Sequence, residues 1–359
     1  KLLTPGPLTT TETVKEVMLF DHCTWDDDYK EITQKIRRDL LKLAQVEETE
    51  YTTVLMQGSG SFGVESVLGS VVPKDGCVLL LSNGAYGERA AKMCSYYEIP
   101  CIHVKQDYNK TPDANEAEEL LKTHPEITHI MMIHSETTSG ILNDIESIGK
   151  LAEAYGKVFI VDAMSSFAGV EIPVKDWYID FLISSANKCI QGVPGFSFII
   201  ANRVLLMESK GRARSLCLDL YDQWAGMEKD GKWRYTSPTH VVLAFEQAMK
   251  ELEQEGGIKA RHARYQKNMD TLVENFENLG FRLYVDKAWQ GPIIATFLYP
   301  EGKHFDFQEM YAYIKERGYA IYPGKLTDAD TFRIGVIGEI YEEDVLRLTE
   351  IMKSYMEQA

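Results

Sequence analysis

Two residues point to one chemistry when they are taken together. Lys188 lies in Ser184-Ser185-Ala186-Asn187-Lys188-Cys189, a few residues beyond the apolar run Phe181-Leu182-Ile183. Its small polar neighbours leave the amine accessible at the end of a strand. Alone, such a lysine is an ordinary solvated side chain. Asp162 follows the run Val158-Phe159-Ile160-Val161. A carboxylate at the carboxyl end of a parallel strand faces the crevice where α/β proteins bind ligands, although capping of a following helix is an equally good role for it. As a pair they say more. A lysine that forms a Schiff base and an aspartate that holds a pyridinium nitrogen are the two protein groups that pyridoxal phosphate requires.

A phosphate cup would complete that set. Gln57-Gly58-Ser59-Gly60-Ser61-Phe62-Gly63 follows the apolar stretch Thr53–Met56 and precedes a helical one, residues 64–68. A Gly/Ser turn that opens a helix offers unpaired N–H groups, hydroxyls and the positive end of the helix dipole. The segment is neither a P-loop nor a full G-x-G-x-x-G fingerprint, and a plain tight turn accounts for it equally well. Tyr86, in Ser82-Asn83-Gly84-Ala85-Tyr86-Gly87-Glu88-Arg89, follows the run Val78–Leu81. It could stack on a flat ring or pack in the core. Arg333 alternates with apolar neighbours in Thr331-Phe332-Arg333-Ile334-Gly335. Its planar fork suits a carboxylate or phosphonate; a lone arginine more often makes a surface ion pair. No metal site is expected. His134 has no second ligand at metal spacing, and Asp26-Asp27-Asp28 lacks the glycine and distal glutamate of a calcium loop. Cys189 has no base beside it and reads as a packing residue.

The elements that must carry these residues follow a simple order. Short apolar runs at 78–81, 130–133, 158–161, 181–183 and 196–200 alternate with helix-length segments such as 143–155. Near-continuous apolar runs mark strands buried on both faces, as in parallel sheets covered by helices. A β-α-β-α order implies an α/β domain with right-handed crossovers. The pattern changes near residue 250. A helix from Leu243 to Glu255 is expected to stop at Gly256-Gly257, and a second, from about Lys259 to Leu279, at Gly280. Strand-like segments at 281–285 and 293–298 follow, then a helix at 341–355 with Val345, Leu348, Met352 and Tyr355 on one face. This predicts an N-terminal segment 1–15, a large α/β domain 16–250 with a mostly parallel sheet, and a smaller α+β domain 251–359.

Composition narrows the class. The 359 residues are 45% hydrophobic, 11% aromatic and 26% charged, which excludes a disordered chain, a collagen and a coiled coil. A formal charge of −16 without a basic stripe argues against a nucleic-acid partner. No apolar run reaches the ~20 residues of a membrane helix. Lys1-Leu2-Leu3 runs straight into Thr4-Pro5-Gly6-Pro7, so no secretory signal is expected there. Six cysteines without a C-x-x-C pair suit a reduced, cytoplasmic protein.

Longer segments carry a family resemblance: Leu3-Thr4-Pro5-Gly6-Pro7-Leu8-Thr9-Thr10, residues 20–29, Gln57–Ser61, His134-Ser135-Glu136-Thr137-Thr138, Val161–Ser166, Ser184–Gly192, residues 215–224 and Phe332–Gly335. From end to end the chain resembles the 2-aminoethylphosphonate–pyruvate transaminase family of fold-type I pyridoxal-phosphate aminotransferases. The wider group, alanine–glyoxylate and serine–pyruvate aminotransferases, shares the pyridoxal positions and supplies the alternative reading. The resemblance implies Lys188 as the Schiff-base lysine and Asp162 as the partner of the pyridine nitrogen. Ser59, Gly60 and Ser61 would form the phosphate cup, with Tyr86 stacked on the cofactor and Thr137 bonded to its phenolic oxygen. Arg333 would hold substrate. Thr236, in Arg234-Tyr235-Thr236-Ser237-Pro238, resembles a threonine that reaches the phosphate of a neighbouring subunit, which implies a homodimer with shared sites. The expected activity is a ping-pong transfer of an amino group from 2-aminoethylphosphonate to pyruvate through a Lys188 Schiff base. A pyridoxal-fold binding protein without turnover is the remaining rival; an intact Lys188–Asp162 pair argues against it.

Overall fold

The computed structural model describes residues 1–300, 305–324, 326 and 329–358. Along the chain come β1 (Tyr51–Gln57), β2 (Val78–Ser82), β3 (Cys101–Lys105), β4 (His129–Ile133), the short β5 (Ser135–Glu136) and β6 (Ile141–Leu142), then β7 (Val158–Asp162), β8 (Phe181–Ser185) and β9 (Phe196–Asn202). All except β5 and β6 form one sheet in the order β1-β9-β8-β7-β4-β2-β3. The pairs from β8 to β3 are parallel. The apolar runs are nearly continuous because both faces are covered. Leu79, Leu81, Ile130, Met132 and Val161 pack into one buried cluster with the helices Ala114–Thr123 and Ile145–Ala154. Their neighbours Val78, Leu80, Met131, Ile160 and Ile183 pack into another with the helices Gly60–Val71 and Ala85–Tyr96.

One strand departs from the parallel pattern that its apolar run suggests. β9 is antiparallel to both β8 and β1. The link 186–195 is shorter than the dozen or so residues a parallel crossover needs, so the chain turns straight back. β1 therefore runs in the same direction as β8, β7, β4 and β2, and all five bring their carboxyl ends to one edge of the sheet.

The second part of the chain builds its own core. The helix Thr239–Glu255 ends at Gly256, whose φ of 107° is left-handed, and the helix Gly257–Asn278 starts at once. Strands β10 (Arg282–Leu283), β11 (Ile294–Leu298), β12 (Tyr322–Pro323) and β13 (Thr331–Gly335) make an antiparallel sheet in the order β10-β11-β13-β12. Only residues 282–283 of the expected 281–285 strand pair regularly, opposite the end of β11, before the chain turns at Asp286. Val345, Leu348, Met352 and Tyr355 of the helix Glu342–Met356 are buried in this core together with Leu3. Two segments link the second core to the large sheet. Leu3 donates its N–H to Ala320 O (2.8 Å) and accepts from Gly335 N–H (3.0 Å) before the chain crosses to Lys188. The β5–β6 hairpin accepts from Gly291 N–H at Gly140 O (2.9 Å) and donates Leu142 N–H to Trp289 O (2.9 Å). No helix among the described residues is long and apolar enough to cross a membrane.

Candidate active site

The carboxyl ends of β1, β2, β4, β7 and β8 open onto a cleft of about 190 Å³. Its walls include Ser59, Gly60 and Ser61 after β1, Tyr86 and Arg89 after β2, Ser135 and Thr137 after β4, Asp162 at the end of β7, and Asn187 and Lys188 after β8. Seven of the residues singled out by sequence therefore converge: Ser59, Gly60, Ser61, Tyr86, Thr137, Asp162 and Lys188. This is the crevice beyond the carboxyl ends of the strands where α/β sheets take their ligands.

Ser59 is the N-cap position of the helix Gly60–Val71, and its side chain makes no capping bond. The first N–H groups of that helix thus face the cleft with the positive end of the dipole behind them. A side chain at Gly60 would place Cβ 2.2 Å from Met164 Sδ, so any other residue there would have to displace the Met164 side chain. Asp162 is 6% exposed. Its Oδ1 accepts from Met164 N–H (2.9 Å), and no hydrogen bond reaches Oδ2 among the described residues. No helix follows it, so capping is not its role. Burial pushes its carboxyl up to about 6, opposed by the Met164 N–H and by the positive charges of Lys188 and Arg89. Lys188 is partly buried, and its Nζ donates to Pro5 O at 2.8 Å.

The remaining two stand outside the cleft wall. Arg333, on β13, is 2% exposed. Its Nη1 donates to Thr137 O (2.8 Å) and its Nε to Pro323 O (3.0 Å), while Nη2 has no hydrogen bond among the described residues. It thus reaches the cleft through the carbonyl of a wall residue. Thr236 is exposed and lies on none of the cleft walls; its carbonyl accepts from Gln57 Nε2 at 3.2 Å. No cluster of metal-ligand side chains occurs among the described residues.

Three contributions went unread in the sequence. Arg89 donates from Nη1 to Ser61 Oγ (2.9 Å), and its guanidinium sits 5.1 Å from the centre of the Tyr86 ring. Its position three residues after Tyr86, one turn along the same helix, was the available signal. The Pro5 carbonyl is backbone and leaves no side-chain signal; Gly6, with φ 118°, allows the segment to lie against the Lys188 stem, where a Cβ would come 2.8 Å from Cδ. Glu136 is fully buried, and its carboxyl is raised to about 6 by burial and by the Asp162 charge, against the bonds from Thr138. A Cβ at Gly84 would lie 2.2 Å from Glu136 Cδ. Gly84→Ala is therefore expected to destabilise the protein by roughly 1–3 kcal/mol through overpacking, read as a lower urea midpoint at unchanged slope.

Comparison with known proteins defines the class. The Aminotransferase class-V family matches residues 22–347. The fold superposes on pyridoxamine–pyruvate aminotransferase from Mesorhizobium loti with a TM-score of 0.91, covering 99% of this chain and 92% of that one at 22% identity. The chain belongs to the class-V aminotransferases, fold-type I enzymes that work with pyridoxal phosphate. Its sequence relatives are more particular. It is 56% identical over 356 residues to the 2-aminoethylphosphonate–pyruvate transaminase of Lysinibacillus sphaericus, covering 99% of this chain and 97% of that one. The enzyme of the same name from Bacillus cereus is 56% identical over 350 residues, 97% and 96% of the two chains. Within the class, it belongs to the 2-aminoethylphosphonate–pyruvate transaminase family.

Proposed function

We propose that this aminotransferase moves the amino group of 2-aminoethylphosphonate to pyruvate, giving phosphonoacetaldehyde and alanine, with both substrates using the cleft in turn. The observation that carries the reading is the convergence of a buried Asp162 carboxylate and the Lys188 amine on one cleft, in a chain 56% identical to enzymes of that name. The donor set fits pyridoxal phosphate. Asp162 Oδ2 is a carboxylate oxygen on the cleft wall without a hydrogen bond among the described residues, suited to a cationic partner, and the open helix start at Gly60 suits a phosphate. When bound, the cofactor supplies an electron-accepting ring that stabilises the charge left on the amino carbon once its proton departs.

The chain's own residues do the rest. Lys188 would hold the cofactor covalently through its amine and, once freed by the amino donor, would take the proton from the amino carbon and deliver it to the carbon on the far side of the nitrogen. Asp162 keeps the ring nitrogen protonated; the pair offsets the burial that raises its carboxyl alone. Ser59, Gly60 and Ser61 bind phosphate, Tyr86 forms a flat wall and Thr137 bonds the ring oxygen. Thr236, exposed on the free chain, would reach the phosphate of a second copy, so the working form is a homodimer with shared sites. Large apolar side chains exposed nearby, Phe62 at 49% and Tyr235 at 40%, support such a surface. Six free cysteines support a cytoplasmic setting.

Arg333 grips phosphonate in one half-reaction and carboxylate in the other, since its fork matches either group. Arg333→Lys is expected to raise KM about tenfold to a hundredfold for both 2-aminoethylphosphonate and pyruvate, the worth of a lost charge-assisted pair. A rise for pyruvate alone would contradict the shared clamp. The substrate pair itself is tested by initial rates with 2-aminoethylphosphonate, alanine and serine as competing donors. Parallel double-reciprocal lines with a clear preference for the phosphonate are expected. A preference for alanine or serine with glyoxylate would overturn the substrate and leave the chemistry standing.

A further inference from the structure

The helix Ala85–Tyr96 brings Tyr86 and Arg89 to the cleft, yet it has no cap of its own. Its N-cap is Gly84, which has no side chain to offer. The cap comes instead from the β5–β6 hairpin, more than fifty residues along the chain. Ala85 N–H donates to Thr138 Oγ1 at 3.2 Å. Thr138 Oγ1 donates in turn to Glu136 Oε1 at 2.6 Å, and Thr138 N–H reaches the same oxygen at 3.0 Å. The second carboxylate oxygen, Glu136 Oε2, is buried and has no hydrogen-bond partner among the described residues. A negative charge thus sits at the positive end of this helix, buried and hydrogen-bonded.

The residue between these two belongs to the other side of the site. Thr137 lines the cleft, and its carbonyl takes the Arg333 guanidinium at 2.8 Å. The hairpin is also bound to the second core through Gly140 and Leu142. A helix from the large sheet and an arginine from the second core therefore meet on three consecutive residues, Glu136, Thr137 and Thr138. All three are buried. Gly84 has the same logic, because any Cβ there would collide with Glu136.

We infer that the β5–β6 hairpin is the positioning element of this site, with Glu136 and Thr138 holding Tyr86 and Arg89 in register with Arg333. Neither residue touches a reacting atom. Their effect passes through the start of the Ala85–Tyr96 helix and through the Thr137 carbonyl. Glu136 acts as an anion, so its contribution fades as pH falls below about 6, where its carboxyl takes up a proton. The charged groups facing it are Asp162, which raises it, and Arg333, whose own charge feels it. The inference rests on the reading above that Tyr86 and Arg333 face cofactor and substrate.

Thr138→Val removes the bridging hydroxyl while keeping the shape; Thr138→Ser keeps the hydroxyl. Equilibrium dialysis against pyridoxal phosphate should show about tenfold weaker binding for Thr138→Val and native-like binding, within about twofold, for Thr138→Ser. The KM for pyruvate should rise in parallel in Thr138→Val, because Arg333 shares the same hairpin. Glu136→Gln should weaken binding at pH 8 and approach the native value near pH 5.5. Glu136→Gln combined with Thr138→Val should be little worse than the poorer single variant, since both break one chain of bonds. Leu348→Ala in the second core, away from the site, provides a destabilised control with unchanged affinity. Equal behaviour of Thr138→Val and Thr138→Ser would overturn the inference. So would a loss of thermal stability without loss of affinity, matching the Leu348→Ala control. Substitutions at Tyr86 and Arg333 test the underlying reading separately: large effects there beside no effect at Thr138 or Glu136 would remove the positioning role alone.

Discussion

Lys188→Ala is expected to lower kcat by at least about 10⁴-fold while leaving the fold intact. On the proposed reading two roles vanish with one amine, the covalent hold on the cofactor and the proton shuttle, and general-base catalysis alone is worth 10²–10⁴-fold. The structural cost is small because the side chain is only partly buried, and the Pro5 carbonyl it bonds can turn to water. Lys188→Arg separates charge from chemistry. It keeps a cation beside Asp162 but offers no nucleophilic amine, so it should be as inactive as alanine. A small primary amine added to Lys188→Ala should restore part of the proton transfer. Single-turnover rates, with circular dichroism as the fold control, provide the check. Native-like turnover in Lys188→Arg would show that the position supplies charge only.

Asp162→Asn should separate stability from activity in opposite directions. In the cofactor-free chain the carboxyl is raised from 3.8 to about 6, chiefly by burial. Below pH ~4 it is protonated in both folded and unfolded chains and costs nothing. Above pH ~6 it is ionised in both, and the full cost of burying the charge is present, about 3 kcal/mol from a shift of this size. The cofactor-free protein should therefore lose stability as pH rises from 4 to 6. Asparagine keeps an acceptor for Met164 N–H without the charge. Cofactor-free Asp162→Asn should be more stable than the native chain at pH 7.5, by up to about 3 kcal/mol, with the gap closing towards pH 4. Its kcat should fall roughly a hundredfold to a thousandfold, because a neutral amide does not hold the ring nitrogen protonated. Urea unfolding of both cofactor-free proteins at pH 4.5 and 7.5 measures the first effect. An Asp162→Asn variant less stable than native at pH 7.5 would mean that the carboxylate is already paired in the cofactor-free fold.

Residue patterns carried the large domain because its strands are buried twice over. Val78-Leu79-Leu80-Leu81 reads as one apolar run, and alternate residues of that run face two different clusters. Helix ends were equally legible where glycine had to take a left-handed φ, as at Gly256. Strand direction was not. β9 has the same apolar character as β8, and only the length of the link before it sets the antiparallel return. Legibility of the site followed the same division. Lys188, Asp162 and Ser59–Ser61 stand directly after strand ends, so a sheet running one way gathers them without further detail. Arg333 was legible as a strand residue, but its approach behind the Thr137 carbonyl depends on how two cores meet. Glu136 looked like one acidic residue in a short polar segment; its link to the start of a distant helix runs through the Thr138 hydroxyl, a tertiary contact. Tertiary packing, which leaves no local period, accounts for what the sequence hid.

The most direct test of the account is the absorbance of the cofactor-loaded enzyme when 2-aminoethylphosphonate is added without pyruvate. The visible band should disappear in a single turnover and return on addition of pyruvate, with one equivalent each of phosphonoacetaldehyde and alanine formed. A band that ignores the phosphonate and responds to alanine or serine would contradict the assigned donor.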